Sequence, residues 1–288
     1  MTFFLLLVCF GFLILFPSTS FEGAKNGLLL WFQIVLPTLF PFLVITNLME
    51  SLLPIASGRV YALFTGFLSG YPIGAKSCNY IVSQGKSTKK EGQFLLSFCN
   101  NASPAFLLNY VFIRCLSMVQ HRFLLLLILY LSSFLGALFF FPKQSSYETI
   151  KKSKKDYRIP STSISFDTII MASFEIITKI GGYIILFSLL ATIIKVHFPL
   201  PVLTKTILCG ILEITTGMNL LFESMYSSST KLLIGMFIAS FGGLSALFQT
   251  KSVIKESGLS IRSYTFAKVC SSLLCVCFTK ILLLFNIL

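Results

Sequence analysis

The chain is short of charge. Asp, Glu, Lys and Arg make up 11% of its 288 residues, and only 10 residues are acidic, where a soluble domain is about a quarter charged. It also has 2 His and 1 Trp. With His121 and His197 as the sole histidines there is little choice of catalytic base or imidazole ligand. No Gly-rich nucleotide loop, no Cys and His pairs at metal spacing and no Ser/His/Asp arrangement occur. The chain therefore reads as a non-enzyme, with no cofactor and no metal.

What it has in abundance is apolar surface. Hydrophobic residues make up 55%, 31 residues are Phe, and the mean hydropathy is +0.86. That exceeds what one water-soluble core could hide, because a soluble fold must still clothe itself in polar side chains. The solvent is a lipid bilayer, and the fold class is an all-α polytopic membrane protein. The charge is lopsided, with 23 Lys and Arg giving +13. In such a protein the excess serves orientation and anionic headgroups, so nucleic acid is not a partner. The cysteines at 9, 78, 99, 115, 209, 270, 275 and 277 sit mostly in apolar runs, where Cys behaves as a small hydrophobe.

Hydropathy predicts about nine spans, within a range of about 8–10, near 2–17, 27–49, 60–83, 94–113, 123–142, 168–197, 201–222, 232–250 and 264–287. Residues 2–17 lack a basic leader and read as an uncleaved first span. The long polar stretch 143–167 carries Lys143, Lys151, Lys152, Lys154, Lys155 and Arg158. It divides the chain into an N-terminal span and loop (1–26), a first repeat (27–142), the basic linker, and a second repeat (168–288). The positive-inside rule puts the linker in the cytoplasm. Nine alternating spans then put the N-terminus outside and the C-terminus inside.

Sliding the halves by 173 residues pairs Phe64 with Phe237, Gly70 with Gly243, Ile81 with Ile254, Gly85 with Gly258 and Ser87 with Ser260. The paired spans are separated by an odd number, so they run oppositely, as in two inverted repeats with broken helices. Biased composition is the competing explanation.

Polar residues interrupt the apolar pattern in a few places. Gly66–Lys76 puts three glycines and Pro72 in the middle of a span. Pro72 frees carbonyls, which lipid tolerates only beside protein or a watery cavity, though a simple kink with small-residue packing fits too. Ser97–Pro104 sets Asn100 and Asn101 side by side; they can meet a polar solute or tie helices together. In the second half stand Glu213 to Asn219, then Gly242, Gly243 and Ser245, with Gln249 and Thr250 nearby. The candidate solute-binding residues are Ser69, Gly70, Pro72, Gly74, Lys76, Asn100, Asn101, Ser103, Gly242, Gly243 and Ser245. A carboxylate at membrane depth marks proton or ion coupling, which makes Glu213 a candidate; pairing with a lysine such as Lys76 is the alternative. Glu175 and Lys179 form an i, i+4 pair. Lys195, His197, Lys268 and Lys280 reach the interfaces by snorkelling.

Gly66–Lys76, Leu96–Pro104, Leu212–Gly217 and Phe241–Ser245 together resemble the sporulation integral membrane protein YlbJ family, which carries the nucleoside-recognition Gate domain. The resemblance runs from about 27 to 270, although Ala246, Leu247 and Phe248 are more apolar than the family pattern. It implies a multi-pass protein of the cell membrane, associated with the forespore during sporulation. It further implies a relation to nucleoside transporters, without naming a substrate. The expected function is transport of a small polar or anionic solute, dipicolinate-like or nucleoside-like. The alternative is a non-transporting scaffold for spore development, whose basic linker recruits a partner or anionic lipid. The expected partners are the bilayer and the solute, and a homo-oligomer is compatible.

Overall fold

The computed structural model describes residues 11, 13–52, 58–141 and 165–288, and the regular elements among them are all helices. The span at 2–17 and the linker 143–167 fall largely outside these residues. A rod of α1 (Pro17–Leu30), a π turn (Trp31–Val35) and α2 (Leu36–Leu52) opens the chain. It is followed by α3 (Gly58–Ser69), α4 (Ile73–Ser83) and α5 (Lys89–Cys99). Then α6 starts at Pro104 and runs as a π helix over Leu107–Cys115, before α7 (Arg122–Ala137). The second half has α8 (Phe166–His197), α9 (Val202–Leu212), α10 (Ile214–Glu223), α11 (Ser228–Phe241), α12 (Gly243–Val253) and α13 (Ile261–Leu284).

Among the described residues five helices are long and apolar enough to cross a bilayer: Pro17–Glu50, Arg122–Phe140, Phe166–His197, Ser228–Val253 and Ile261–Leu284. The expectation of nine full spans needs correcting, because several apolar runs are broken into half-length helices. An 11-residue helix is about 16 Å long, half the hydrocarbon thickness. Helices α3 and α4 pack on each other, as do α9 and α10. Each pair is therefore a hairpin with arms of half-span length, the shape of a re-entrant segment. By contrast α11 and α12 continue end to end across the membrane through a break at Gly242. The pair α5 and α6 is interrupted in a similar way at Asn100–Ser103. Its Gly92 end lies against Leu259, while Leu116 beyond its other end lies against Gly235 of α11.

Both halves thus run in one order: long helix, hairpin, broken helix, helix. The spacing is shorter than 173, since Glu213 stands 142 residues after Tyr71 and Gly242 stands 142 after Asn100. The 173-residue register instead matches the whole first hairpin with the second broken helix, Phe64 of α3 with Phe237 of α11, Gly70 with Gly243, and Ile81 of α4 with Ile254 at the end of α12. Counting the broken pair α5–α6 beside the five long helices gives three crossings to each half of the described residues, an odd number that would set the halves in opposite senses.

The long helices α1–α2 and α8 lie antiparallel along each other. Thr19 Oγ1 meets His197 Nε2 at 2.9 Å at one end, and Asn47 donates to Ser173 at 2.8 Å at the other. Between them the Trp31 indole donates to the Ile177 carbonyl at 2.9 Å. Gly23 and Gly27 bring the backbones close, which is how helices gain dispersion contact in lipid. Side-chain caps set several starts. Thr88 and Glu91 form a capping box on α5, and Ser165, Ser227 and Ser260 cap α8, α11 and α13.

With the linker in the cytoplasm, Arg59, Lys86, Lys89, Lys90, Lys251, Lys255 and Arg262 join it there, and the C-terminal end of α13 faces the opposite side. Two re-entrant hairpins would thus put the C-terminus on the side opposite the linker, where nine full spans would put both on one side.

Candidate functional site

The hairpin tips and helix breaks converge. At the first tip Gly70 adopts φ +74, and a Cβ there would sit 2.5 Å from the Ser103 nitrogen, so only glycine fits. The Tyr71–Pro72 peptide is cis. The Tyr71 amide donates to the Asn101 carbonyl at 2.7 Å, pinning the tip to the first break. At the second tip α9 ends at Glu213, whose extended backbone separates it from α10. This tip lies against Gly243 of the second break. Gly242, at φ +84, faces the Tyr71 ring of the opposite half.

A cavity of about 410 Å³ opens where these four features meet. Ser69, Tyr71 and Ser103 line it from the first half, and Glu213, Thr215, Gly242, Ser245 and Gln249 from the second. The π-helical stretch of α6 adds Asn109, Tyr110 and Arg114. Widened π turns recur at functional sites, and the other π turn supplies Ile34 and Val35 to the same wall. Most of the surface is apolar with a few polar groups, the usual make-up of a small-molecule site. A second cavity of about 250 Å³ shares Tyr110, Arg114 and Thr215 with the first and continues to Asn26, Gln33 and Asn219.

Of the sequence-based candidates, Ser69, Ser103, Glu213, Gly242 and Ser245 line the main cavity. Gly70, Pro72, Gly74 and Gly243 shape the tips and breaks without lining it. Asn100 and Asn101 stand behind the wall, 0% and 1% exposed. Asn100 donates to Thr250 at 3.0 Å and Tyr264 at 2.9 Å and accepts from the Ala75 amide at 3.0 Å. Asn101 donates to the Phe98 carbonyl at 2.8 Å and accepts from Ser133 at 2.9 Å. Both amides are engaged in tying helices together, which leaves none of their side-chain groups turned to a solute.

Lys76 is also outside. It pairs with Glu50, their side chains 15% and 13% exposed, and Tyr61 donates to the same carboxylate at 2.9 Å. Glu213 is in none of the ion pairs among the described residues; it caps α10, accepting from the Thr215 amide at 3.1 Å, the Thr216 amide at 2.7 Å and both threonine hydroxyls. Glu175 and Lys179 pair at i, i+4 as expected. Lys268 does not snorkel, being 1% exposed.

The cation of the cavity is Arg114, which lies over the Tyr110 ring at 5.7 Å. Sequence reasoning passed over it because it stands just past the apolar run. Tyr110 in turn stacks on Phe106 with centroids 5.0 Å apart, and donates to Asn219 at 2.9 Å. The cavity therefore offers stacked aromatic faces, hydroxyls, the amides of Asn109 and Gln249, the Arg114 guanidinium and the Glu213 carboxylate, whose oxygens are taken up by the α10 cap. Such a set suits a small planar solute with an acidic group.

No family model and no solved structure matches the chain. The sporulation integral membrane protein YlbJ of Bacillus subtilis (strain 168) is 24% identical to it over 318 residues, covering 92% of this chain and 78% of that protein. This likeness along nearly the whole length, together with the polytopic helical fold, supports membership of the YlbJ family of sporulation integral membrane proteins.

Proposed function

We propose that this protein is a secondary transporter that moves a small polar or anionic solute across the cell or forespore membrane during sporulation. The observation that carries the reading is the single cavity at which two hairpin tips and two helix breaks meet. Broken elements at membrane depth are tolerated where they line a water-filled path, and they leave backbone groups and helix ends for a solute. The solute class that fits the walls is a planar acid, dipicolinate-like, with its ring against Tyr71 and Tyr110 and its carboxylate toward Arg114; a nucleoside-like solute would use the same rings without the guanidinium. The sporulation setting comes from the named relative.

The test is uptake into vesicles that contain the purified protein, with dipicolinate and uridine offered separately. Arg114→Gln should raise KM for the anion about tenfold, the loss expected for one charge-assisted contact, and leave uridine unaffected. Uptake of neither solute by the unaltered protein would contradict the reading. A scaffold would instead lose function when the basic linker is neutralised and keep it in Arg114→Gln.

A further inference from the structure

Lys268 is an ionisable group at membrane depth that the cavity does not use. It lies on α13, is 1% exposed, and its ammonium donates to Asn101 Oδ1 at 2.8 Å. None of the ion pairs among the described residues involves it. An ammonium has three donors and a full charge, and here the partner is a neutral amide oxygen already shared with Ser133. Some compensation comes from α5, whose carbonyl end stops beside it at Asn100. A cation held this way in hydrocarbon is costly, and such residues mark proton relays.

Its surroundings are otherwise uncharged. On the helices packed against α13, the charged groups lie toward the ends: Lys89, Lys90 and Glu91 on α5, Arg122 on α7, Lys231 on α11 and Lys251 on α12, each exposed or half-buried. On α13 itself Arg262 and Lys280 are exposed. The neutral titratable groups on these elements include Cys99, Tyr130, Tyr264 and Cys275.

The position is not incidental to the site. Asn101, which receives the Lys268 bond through its side chain, receives the Tyr71 amide through its carbonyl at 2.7 Å. Tyr71 is cavity wall and touches the second break at Gly242. Lys268, Asn101, Tyr71 and Gly242 thus form one contiguous chain from a buried amine to the meeting point of both halves.

We infer that Lys268 is the proton-coupling residue, its ammonium holding Asn101 and the first hairpin tip in place and its amine releasing them. Loading adds one proton to the Nζ lone pair, and release returns that proton to water; no other bond changes. The assignment rests on the transport reading for its purpose but not for its test. Glu213, whose four accepted hydrogen bonds fix it as a helix cap, has no part in it.

The test is hydrogen–deuterium exchange of the full-length protein in lipid nanodiscs, in mildly acidic and in alkaline buffer, with rates corrected for the intrinsic effect of pH. Peptides covering 69–74 and 100–106 should exchange about threefold or more slowly in acid than in alkali in the unaltered protein. Lys268→Arg, which stays charged, and Lys268→Met, which never is, should both flatten that difference; if Lys268→Met does not fold, Lys268→Arg decides alone. No pH difference in the unaltered protein, or the same difference in Lys268→Arg, overturns the assignment. In vesicles, an inward proton gradient should drive uptake in the unaltered protein and not in Lys268→Arg. Absence of all uptake would sink the transport reading while the exchange result still decides Lys268.

Discussion

At the residue scale, polar side chains in this membrane protein divide into those that face the cavity and those that hold its walls. The amides of Asn100 and Asn101 were the most conspicuous polar feature of the sequence, and they turn out to be wall ties with every side-chain group engaged. The sequence could show that two amides at membrane depth need partners, but the partners lie more than 30 positions away for Ser133 and more than 160 for Tyr264. Arg114 was hidden for the opposite reason: an arginine at the end of an apolar run looks like an interface anchor until the helix carrying it is placed. Lys76 and Glu50 illustrate the same sorting. Replacing both by Met exchanges a half-buried ion pair for apolar contact, a change that is often close to neutral; uptake with an unchanged KM is the expected result. Glu213→Gln removes acceptors from a four-bond cap and should cost about 1–2 kcal/mol, read as a lower thermal midpoint in detergent. Its uptake should retain the pH profile of the unaltered protein, which a coupling carboxylate would not allow.

At the scale of elements, the interruptions themselves were legible. Gly70 with Pro72, Asn100 to Pro104, and Gly242 with Gly243 announce places where a helix cannot continue. Hydropathy could not tell whether the chain turns back at such a point or carries on, because both outcomes bury the same apolar residues. Helices of 11 or 12 residues that pack on their successor make hairpins; helices that meet end to end make a broken span. On that distinction the runs at 60–83 and 201–222 are hairpins of half-length helices, and equivalent breaks in the two halves stand 142 rather than 173 residues apart. The antiparallel pairing of the long helices has a direct check. In a cysteine-free background, Thr19→Cys with His197→Cys and Asn47→Cys with Ser173→Cys should each form a disulfide under mild oxidation. The crossed combination of Thr19→Cys with Ser173→Cys should form none.

At the scale of the whole molecule, the two hairpins decide orientation. With the basic linker on the cytoplasmic side, three crossings in the second half would put the end of α13 on the other, so a cysteine introduced at Leu288 should react with an impermeant thiol reagent in intact cells. One at Lys152 should react only after permeabilisation. The opposite pattern would restore the nine-span count. The fold class was available from composition and pattern, since it rests on local apolar runs and a shortage of charge. The cavity was not, because it is made by contacts between halves: Tyr71 from the first hairpin against Gly242 from the second broken helix. The central claim is that this meeting point holds the solute. Its most direct measurement uses Ser103→Cys in a cysteine-free background, with the rate of thiol labelling followed as dipicolinate or uridine is added. The account predicts that one of these solutes slows labelling in a saturable manner and that Arg114→Gln weakens protection by the anion. Labelling that proceeds at the same rate with either solute, in protein that is folded and inserted, would contradict it.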